Sequence, residues 1–376
     1  CIQCSDEQEE KVVREDFIRT LRGVLKAGQV GRTFHFIEIP KHVSESINDI
    51  DDAYSLMSKT RSHFLIFGRV RRRKLDGKEY HIIDLDGVVS HKPIPKETSA
   101  KLSKEFAELL PRRLQIPKEN DLLSFKFTSD WTECVAKYII GIASFCSSDI
   151  DYAERLYTDV HQKLESFSGD FPVFAKLRER LPKRFYEIHI SRAKASLKQW
   201  RETKEKQAIT QLALNLNKIP DEYSKNYEVL LLRSVEAFLN GRRIEEAIGY
   251  VKKCKQFDDP IWHFNLAFLK AYKDDLKASI REYRKCADYD ISPITLSEVE
   301  DFMVWILKEE PDKYQYYYCL GFFNWKIKGD LYQALDDFKE FINRIRDGKF
   351  AKEKRLASDW MVEIDTKIKG GRGSPP

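Results

Sequence analysis

The chain has 376 residues, of which 42% are hydrophobic and 33% charged, and its net charge is +5. This apolar content is enough for packed cores and excludes a largely disordered chain. So small a net charge, beside 65 basic and 60 acidic residues, does not by itself indicate a nucleic-acid-binding surface. Because no apolar run approaches the roughly 18 residues that span a bilayer, we expect membrane contact only through residues that precede Cys1 in a longer natural chain.

The first 128 residues predict an α+β module of about four strands. The predicted helices cover residues 6–28, 44–56 and 99–110. The predicted strands cover residues 34–39, 63–71, 80–89 and 122–127. Asp76 and Gly77 lie between the second and third strands, and an Asp-Gly pair between two apolar runs is typical of a β-hairpin. The spacing of the two runs predicts a hairpin loop longer than two residues.

The third predicted strand carries the segment His81–Val89, in which apolar residues lead into Asp84, Asp86 and Gly87. This pattern resembles the nucleophile motif of haloacid-dehalogenase-type phosphatases, and Ser129 resembles a second motif of that family. The resemblance implies that Asp84 attacks phosphorus, that Asp86 acts as acid and base, and that both help to hold magnesium. Such chemistry requires a parallel sheet, whereas the chain beyond residue 130 predicts only helices. We therefore interpret the segment as a hairpin strand and keep phosphatase activity as an alternative.

A run of basic residues lies in and after the second predicted strand: Arg69, Arg71, Arg72, Arg73 and Lys74. One interpretation is contact with phosphate groups of a nucleic acid or of an acidic membrane surface. The other is an edge strand whose charges prevent aggregation. The basic residues between positions 178 and 206 are interrupted by acidic ones and lack an aromatic stacking pattern. A basic regulator associated with nucleic acid or a membrane surface is therefore a second alternative, and nucleic acid is not the expected partner.

From about residue 129 onward one pattern recurs four times. A small residue on one helix is followed, 12 or 13 positions later, by a small residue on the next helix. The four pairs are Gly141 with Ala153, Ser234 with Ala247, Ala267 with Ser279, and Gly321 with Ala334. Apolar anchors follow the second small residue at four and seven positions, as Phe338 and Phe341 follow Ala334. Small residues at both positions allow two antiparallel helices to cross closely.

This pattern resembles the tetratricopeptide repeat family. The resemblance implies a helix–turn–helix unit of about 34 residues that stacks into a solenoid and binds other proteins. Helix pairs are predicted over residues 131–168, 184–217, 226–256, 260–289 and 313–346. Single helices are predicted over 171–181 and 295–308, and a capping helix over 351–368. The predicted fold is an α+β module followed by an all-α helical-repeat solenoid over residues 129–369, with a flexible tail over 370–376.

In that family the first helix of each pair lines a concave surface, which implies a candidate binding site. The candidate partner-binding residues are Phe264, Phe268, Tyr272, Tyr318, Phe322 and Trp325, with Tyr138, Ile142 and Phe145 at the corresponding upstream positions. One interpretation is a hydrophobic groove for a helix or an extended peptide, because aromatic anchors supply much of the energy of protein interfaces. The other is a tight superhelix that buries these side chains against one another. The carboxylate clamp of chaperone-binding members is not expected, because aromatic and aliphatic residues stand in its place.

The seven cysteines show no pairing pattern, and an odd number of this kind indicates a reducing compartment, here the cytoplasm. Cys1 and Cys4 form half of a zinc site, but no second pair follows at ligand spacing. The eight histidines show no metal spacing, and the sequence contains no glycine-rich phosphate loop. We expect no metal, no cofactor and no enzymatic activity. The expected function is a protein–protein interaction scaffold or a regulatory adaptor.

Overall fold

The computed structural model of the chain describes residues 2–4, 7–12, 18–20, 22–23, 37–62, 64–75, 78–89, 132–146, 148–166, 172–257, 259–345 and 348–371. The chain divides into two compact units, Cys1–Tyr223 and Ser224–Pro376. The helix predicted over 99–110, the strand predicted over 122–127 and the module boundary near residue 128 lie outside the described residues. Ser129 and the tail beyond residue 371 lie outside them as well.

Among the described residues of the first unit, three strands form a sheet in the order β1, β2, β3. They are β1 (Ile2–Gln3), β2 (Phe64–Leu75) and β3 (Lys78–Val89). β1 runs parallel to β2, with Ile2 opposite Gly68. β2 and β3 pair antiparallel along their whole length, with Phe64 opposite Val89 at one end. The two long strands confirm the predicted hairpin, whereas β1 is a short addition that the sequence pattern did not indicate.

Two details of the predicted module are wrong. Leu75 lies opposite Lys78, so two residues join the strands instead of a longer loop. The backbone pairing continues through the charged residues at the ends of both strands. Ile37–Ile39, the described part of the strand predicted over 34–39, is irregular. Pro40 follows at once as the N-cap of a short helix, and its ring leaves no N–H for a strand ladder.

The helices before the hairpin are α1 (Glu7–Val12), α2 (Lys41–Ser44) and α3 (Ile50–Thr60). Residues 18–20 and 22–23 are also helical, which agrees with the helix predicted over 6–28 where it is described. α3 begins later than predicted because the Asp49 carboxylate accepts a hydrogen bond from the backbone N–H of Asp52 and so caps the helix. Ala53 and Met57 of α3 pack in a small core with two side chains of β2, Leu65 and Phe67.

The described part of the first unit contains four further α-helices: α4 (Thr132–Cys146), α5 (Ile150–Glu165), α6 (Pro172–Thr203) and α7 (Lys206–Asn217). The predicted break between a helix over 171–181 and one starting at 184 is wrong, because α6 continues through Pro182. Leu177, Leu181 and Ile188, on both sides of the proline, are buried in one core with α4 and α5. This burial holds α6 as one helix although Pro182 cannot donate a backbone hydrogen bond.

The second unit contains eight α-helices in its described part: α8 (Tyr227–Leu239), α9 (Ile244–Lys253), α10 (Ile261–Tyr272), α11 (Leu276–Arg284), α12 (Pro293–Glu309), α13 (Gln315–Phe323), α14 (Leu331–Arg344) and α15 (Ala351–Gly371). A π-helical segment, Asn324–Lys328, extends α13. Consecutive helices pack as the pairs α8–α9, α10–α11 and α13–α14, which confirms the predicted pairs. Within the described residues, no helix combines the length and the apolar content needed to cross a bilayer.

Two of the helix pairs approach closely at a glycine that the sequence pattern indicates. A Cβ atom added to Gly321 would lie 2.6 Å from ring atoms of Phe338, and one added to Gly141 would overlap the ring of Tyr157. The partner residues Ala153 and Ala334 on the second helices are fully buried. A helical repeat is compatible with this arrangement, since both glycine positions have no room for a larger side chain.

A shared turn joins the two helices of every pair. Each turn contains a residue with a φ between 55° and 79°: Ser148, Lys204, Arg242, Asp274 and Gly329; Gly241, just before Arg242, also has a positive φ. The next residue is the N-cap of the second helix, and in three pairs it is an aspartate whose carboxylate accepts a backbone hydrogen bond: Asp149, Asp275 and Asp330. Each of these aspartates precedes the small residue of its helix by four positions. The turn therefore fixes where the second helix starts and which residue reaches the crossing.

Candidate functional site

Five of the six candidate partner-binding residues lie in the core of the second unit. Phe264, Phe268, Tyr318, Phe322 and Trp325 are each at most 7% exposed. These side chains therefore do not line an open groove in the chain by itself, and mutual burial, the second interpretation, describes them; their role in partner binding stays a prediction. The upstream counterparts Tyr138, Ile142 and Phe145 are also buried.

Later helices of the same unit cover these aromatic rings. The Phe268 ring lies 4.8 Å from the rings of Phe302 in α12 and Tyr316 in α13. The Tyr316 hydroxyl also donates a 2.8 Å hydrogen bond to the backbone oxygen of Phe268. The spacing of the small residues does not indicate this cover, because α12 lies outside the repeated pattern although it completes the core.

Tyr272 is the exception, because it is half-buried at the end of α10 within a polar and aromatic group. We call this group the turn-end cluster; its members are Arg242, Tyr272, Trp305, Glu310 and Lys313. Arg242 lies in the turn after α8, Trp305 and Glu310 lie at the end of α12, and Lys313 precedes α13. All five side chains are half-buried. Three helix ends that are distant in sequence therefore meet at one surface.

Glu310 is the centre of the turn-end cluster. One of its oxygens accepts a 2.8 Å hydrogen bond from Arg242 Nε, and the other accepts a 2.8 Å bond from the Tyr272 hydroxyl. Glu310 leaves the helical conformation, with φ −130° and ψ 80°, because Pro311 disfavours a helical residue before it. This turn of the backbone places the carboxylate between the ends of α8 and α10.

Two cations lie over aromatic rings in the turn-end cluster. The Arg242 guanidinium is 4.5 Å from the ring centroid of Phe238 and 5.3 Å from that of Trp305. Lys313 Nζ is 4.3 Å from the Tyr272 ring and donates a 3.0 Å hydrogen bond to the Tyr272 backbone oxygen. These contacts hold the two long side chains in one geometry while leaving part of each exposed.

Burial raises the pKa of the Tyr272 hydroxyl above its ordinary value, and the hydrogen bond to Glu310 raises it further. Tyr272 therefore remains a neutral donor at physiological pH. The arrangement of Trp, Tyr and Arg side chains, fixed by hydrogen bonds and partly open to solvent, is suited to binding a protein surface. Two sequence signals indicate the turn-end cluster: the Gly241-Arg242 turn and the helix end before Pro311. The repeat pattern includes neither of them.

A buried carboxyl group forms a second unusual feature of this unit. Asp337 of α14 is 6% exposed and accepts hydrogen bonds from Asn324 Nδ2 at 2.8 Å and Gln333 Nε2 at 3.1 Å. Burial raises the pKa of Asp337 to about 6, and the negative charges of Glu300 and Asp336 add to this effect against the two hydrogen bonds. The Oδ1 atom of Asn324 is buried without a hydrogen-bond partner. Sequence reasoning gave no indication of this group.

The residues of the phosphatase alternative lie inside the hairpin. Asp84 is opposite Arg69 and Asp86 is opposite Phe67 in the antiparallel pairing of β2 with β3. The phosphatase motif requires the carboxyl end of a parallel strand, and the β2–β3 pairing does not provide it. The basic run Arg71–Lys74 lies in β2 opposite Glu79–Ile82. The side chains of Asp84, Asp86 and the basic residues after Arg69 lie outside the described part of the structure.

The described residues contain no group of three or more His, Cys, Asp or Glu side chains placed to hold a metal ion. The turn-end cluster is a candidate site with a defined geometry. Tyr272 is its one member among the candidate partner-binding residues of the sequence. Comparisons with protein families, with curated proteins and with solved structures found no match to this chain.

Proposed function

We propose that this chain is a non-enzymatic protein–protein interaction scaffold or regulatory adaptor, and that the turn-end cluster contacts its protein partner. The observation that carries the proposal is the cluster itself, in which Trp305, Tyr272 and Arg242 are half-buried and held by contacts with Glu310 and Lys313. Trp, Tyr and Arg are the residue types that dominate binding energy at protein interfaces. Their fixed geometry lowers the entropy that binding would otherwise cost.

The assignment to tetratricopeptide-like repeats is part of this proposal. In four helix pairs both small residues are buried, and five pairs share the turn with a positive φ. Such repeats stack so that side chains of several units contribute to one binding surface. The turn-end cluster supports this view, because it combines residues from α8, α10 and α12.

We also propose that the protein works in a reducing compartment, the cytoplasm. Cys134, Cys254, Cys286 and Cys319 are buried free thiols. Burial raises the pKa of Cys254, Cys286 and Cys319 to about 12, so these thiols are un-ionised at neutral pH. They are therefore unreactive fillers of the core.

Affinity capture from cells of the source organism, with the full chain as bait, tests the proposed contact. We expect Trp305→Ala to reduce recovery of a specific protein partner at least about tenfold, which corresponds to about 1.4 kcal/mol. Tyr272→Phe, which removes one hydroxyl from the cluster, should give a smaller reduction. Tyr289→Ala is the matched control, because Tyr289 is 51% exposed and does not belong to the cluster.

Thermal melts of all variants must remain cooperative for this comparison to count. Equal recovery by folded wild-type, Trp305→Ala and Tyr272→Phe chains would show that the turn-end cluster is not the contact. Failure of the folded wild-type chain to retain any partner at physiological salt would contradict the scaffold function itself.

A further inference from the structure

One side chain of the last helix is surrounded by aromatic rings of the preceding pair. The Trp360 ring of α15 lies 5.3 Å from Tyr318, 5.6 Å from Phe322, 5.7 Å from Trp325 and 5.6 Å from Phe338. We call the four surrounding rings the Trp360 pocket. α13, the π-helical segment and α14 together build it. Three of its four members are candidate partner-binding residues of the sequence analysis, so α15 occupies the surface that they form.

α15 is less buried than the helices on which it packs. Ala357 and Ile364 are fully buried, but Leu356, Trp360 and Met361 are half-buried, and Val362 is 69% exposed. In α13, by contrast, every residue except Tyr317 is buried. A helix with fewer buried apolar contacts opens at a lower free energy than the core on which it lies.

The connection to α15 is consistent with a separable helix. Phe350, directly before α15, has a φ of 60°, a conformation that is costly for a bulky side chain. Lys326 Nζ and Glu363 Oε1 form an ion pair at 3.7 Å between the π-helical segment and α15, with both side chains more than a third exposed. Exposed ion pairs contribute little to stability.

We propose that α15 is a displaceable occupant of the Trp360 pocket, and that the pocket binds an amphipathic helix of a partner protein in its place. The inference rests on the proposed scaffold function and names a second contact surface for it. Release of α15 exposes four aromatic rings, and an apolar surface of this kind is stable in water only when it is covered again.

The chemistry of the partner helix follows from the helix that now fills the pocket. Ala357, Trp360 and Ile364 face the core, so the partner needs an aromatic residue, a small residue three positions before it and an aliphatic residue four positions after it. An acidic residue three positions after the aromatic one meets Lys326, as Glu363 does. Lys326 Nζ lies 3.5 Å from the Trp325 ring centroid and remains partly exposed at the rim of the pocket.

A labelled peptide of residues 351–369 is the probe for this pocket. We expect it to bind a full-length Ala357→Asp/Ile364→Asp chain at least tenfold more tightly than the wild-type chain, as measured by fluorescence anisotropy. The matched control chain is Val362→Asp, whose exposed substitution should leave the affinity at the wild-type value. The same peptide with Trp360→Ala should lose binding, and the peptide with Val362→Ala should retain it.

Hydrogen exchange of the unmodified chain provides a test that does not depend on a variant. We expect the α15 amides to exchange faster than those of α13 and α14, through an opening that leaves these two helices protected. Exchange of all three helices in one global unfolding event would overturn the proposal, as would a folded double variant with no preference for the peptide.

A wild-type dimer that exchanges α15 between copies, detected by light scattering, would assign the pocket to a second copy of this chain and would also overturn the proposal. A chain that captures its partner through the turn-end cluster but does not accept the peptide would contradict this inference alone. The proposed function would then remain intact.

Discussion

Single glycines control how closely the helices of this protein approach. A Cβ atom at Gly321 would lie 2.6 Å from the Phe338 ring, and one at Gly141 would overlap the Tyr157 ring. Gly249, on the exposed side of α9, has no neighbour within 4 Å of such an atom. The same substitution therefore has opposite effects at different glycines, depending on the space around them.

We expect Gly321→Ala and Gly141→Ala to lower the free energy of unfolding by about 1–3 kcal/mol, because an aromatic ring has to move out of its packed position. Gly249→Ala should raise it by about 0.5–1 kcal/mol, since alanine loses less backbone entropy in a helix. Urea denaturation of the three variants measures both effects. Equal destabilisation at all three positions would contradict the close crossings.

A second residue-scale feature is the buried carboxyl of Asp337, whose folded pKa of about 6 exceeds its ordinary value of 3.8. A raised pKa means that the native state binds the proton more tightly than the unfolded state. The resulting stabilisation is complete below about pH 3.8 and is lost as the pH rises through 6. At pH 8 the buried carboxylate therefore lowers stability.

We expect Asp337→Asn to raise the free energy of unfolding at pH 8 by up to about 3 kcal/mol, the equivalent of roughly two pKa units. At pH 3 the variant and the wild type should agree, because Asp337 is then largely neutral in both the folded and the unfolded state. Asp336→Asn, one residue away and exposed, is the control and should change stability little at either pH. A stabilisation by Asp337→Asn that does not vary with pH would show that the carboxyl does not titrate as described.

At the scale of elements, the turn within each helix pair is the most regular feature of the chain. A residue with positive φ and an N-cap follow one another in all five pairs. The Asp275 carboxylate accepts a hydrogen bond from the Ala278 backbone N–H and thus starts α11. Ser279, four positions after this cap, is fully buried, and its Oγ lies 3.5 Å from Cys319 Sγ of α13.

We expect Asp275→Ala to lower the free energy of unfolding by about 1 kcal/mol, because the first turn of α11 loses a partner for its backbone N–H. Asp275→Asn should cost much less, since an asparagine oxygen accepts the same bond. Circular dichroism melts compare the two variants. Equal losses for alanine and asparagine would assign the effect to charge instead of capping.

Elements with a strong local pattern could be predicted from the sequence. The helix pairs from α8 to α14 were predicted within a few residues, because small residues and apolar anchors recur at fixed spacing around Ala247 and Ala334. The continuity of α6 through Pro182 could not be predicted, since a local helix breaker is overridden there by burial on both sides. The start of α3 is similarly later than the serines before it indicate, because Asp49 caps the helix at Ile50.

The candidate site was less predictable than the helices, because it depends on contacts between distant elements. The repeat pattern selects Phe268 and Tyr318 as candidate binding residues. It does not show that side chains of α12, α13 and α15 cover their rings. Tyr272 was indicated as a binding residue, but its partners Arg242 and Glu310 lie in other helix ends. Sequence spacing carries no information on such long-range pairs.

At the scale of the whole molecule, the substitution Asp84→Asn distinguishes an interaction scaffold from a phosphatase. We expect Asp84→Asn to leave partner capture unchanged, because Asp84 belongs to an antiparallel hairpin strand opposite Arg69. We also expect neither chain to hydrolyse p-nitrophenyl phosphate with magnesium. Hydrolysis by the wild-type chain that disappears in Asp84→Asn would establish the enzymatic alternative and contradict the scaffold function.

The π-helical segment Asn324–Lys328 has a consequence for how such a repeat tolerates changes in length. Two crossings are separated by 12 positions, as from Gly141 to Ala153, and two by 13, as from Gly321 to Ala334. Between Ser234 and Ala247 the extra residue is accommodated in the turn, where Gly241 and Arg242 both have positive φ. Between Gly321 and Ala334 a wider helical turn accommodates it instead. A helix pair of this chain therefore accommodates one additional residue in either of two places, the turn or a wider helical turn, while the N-cap stays four positions before the small residue of the second helix.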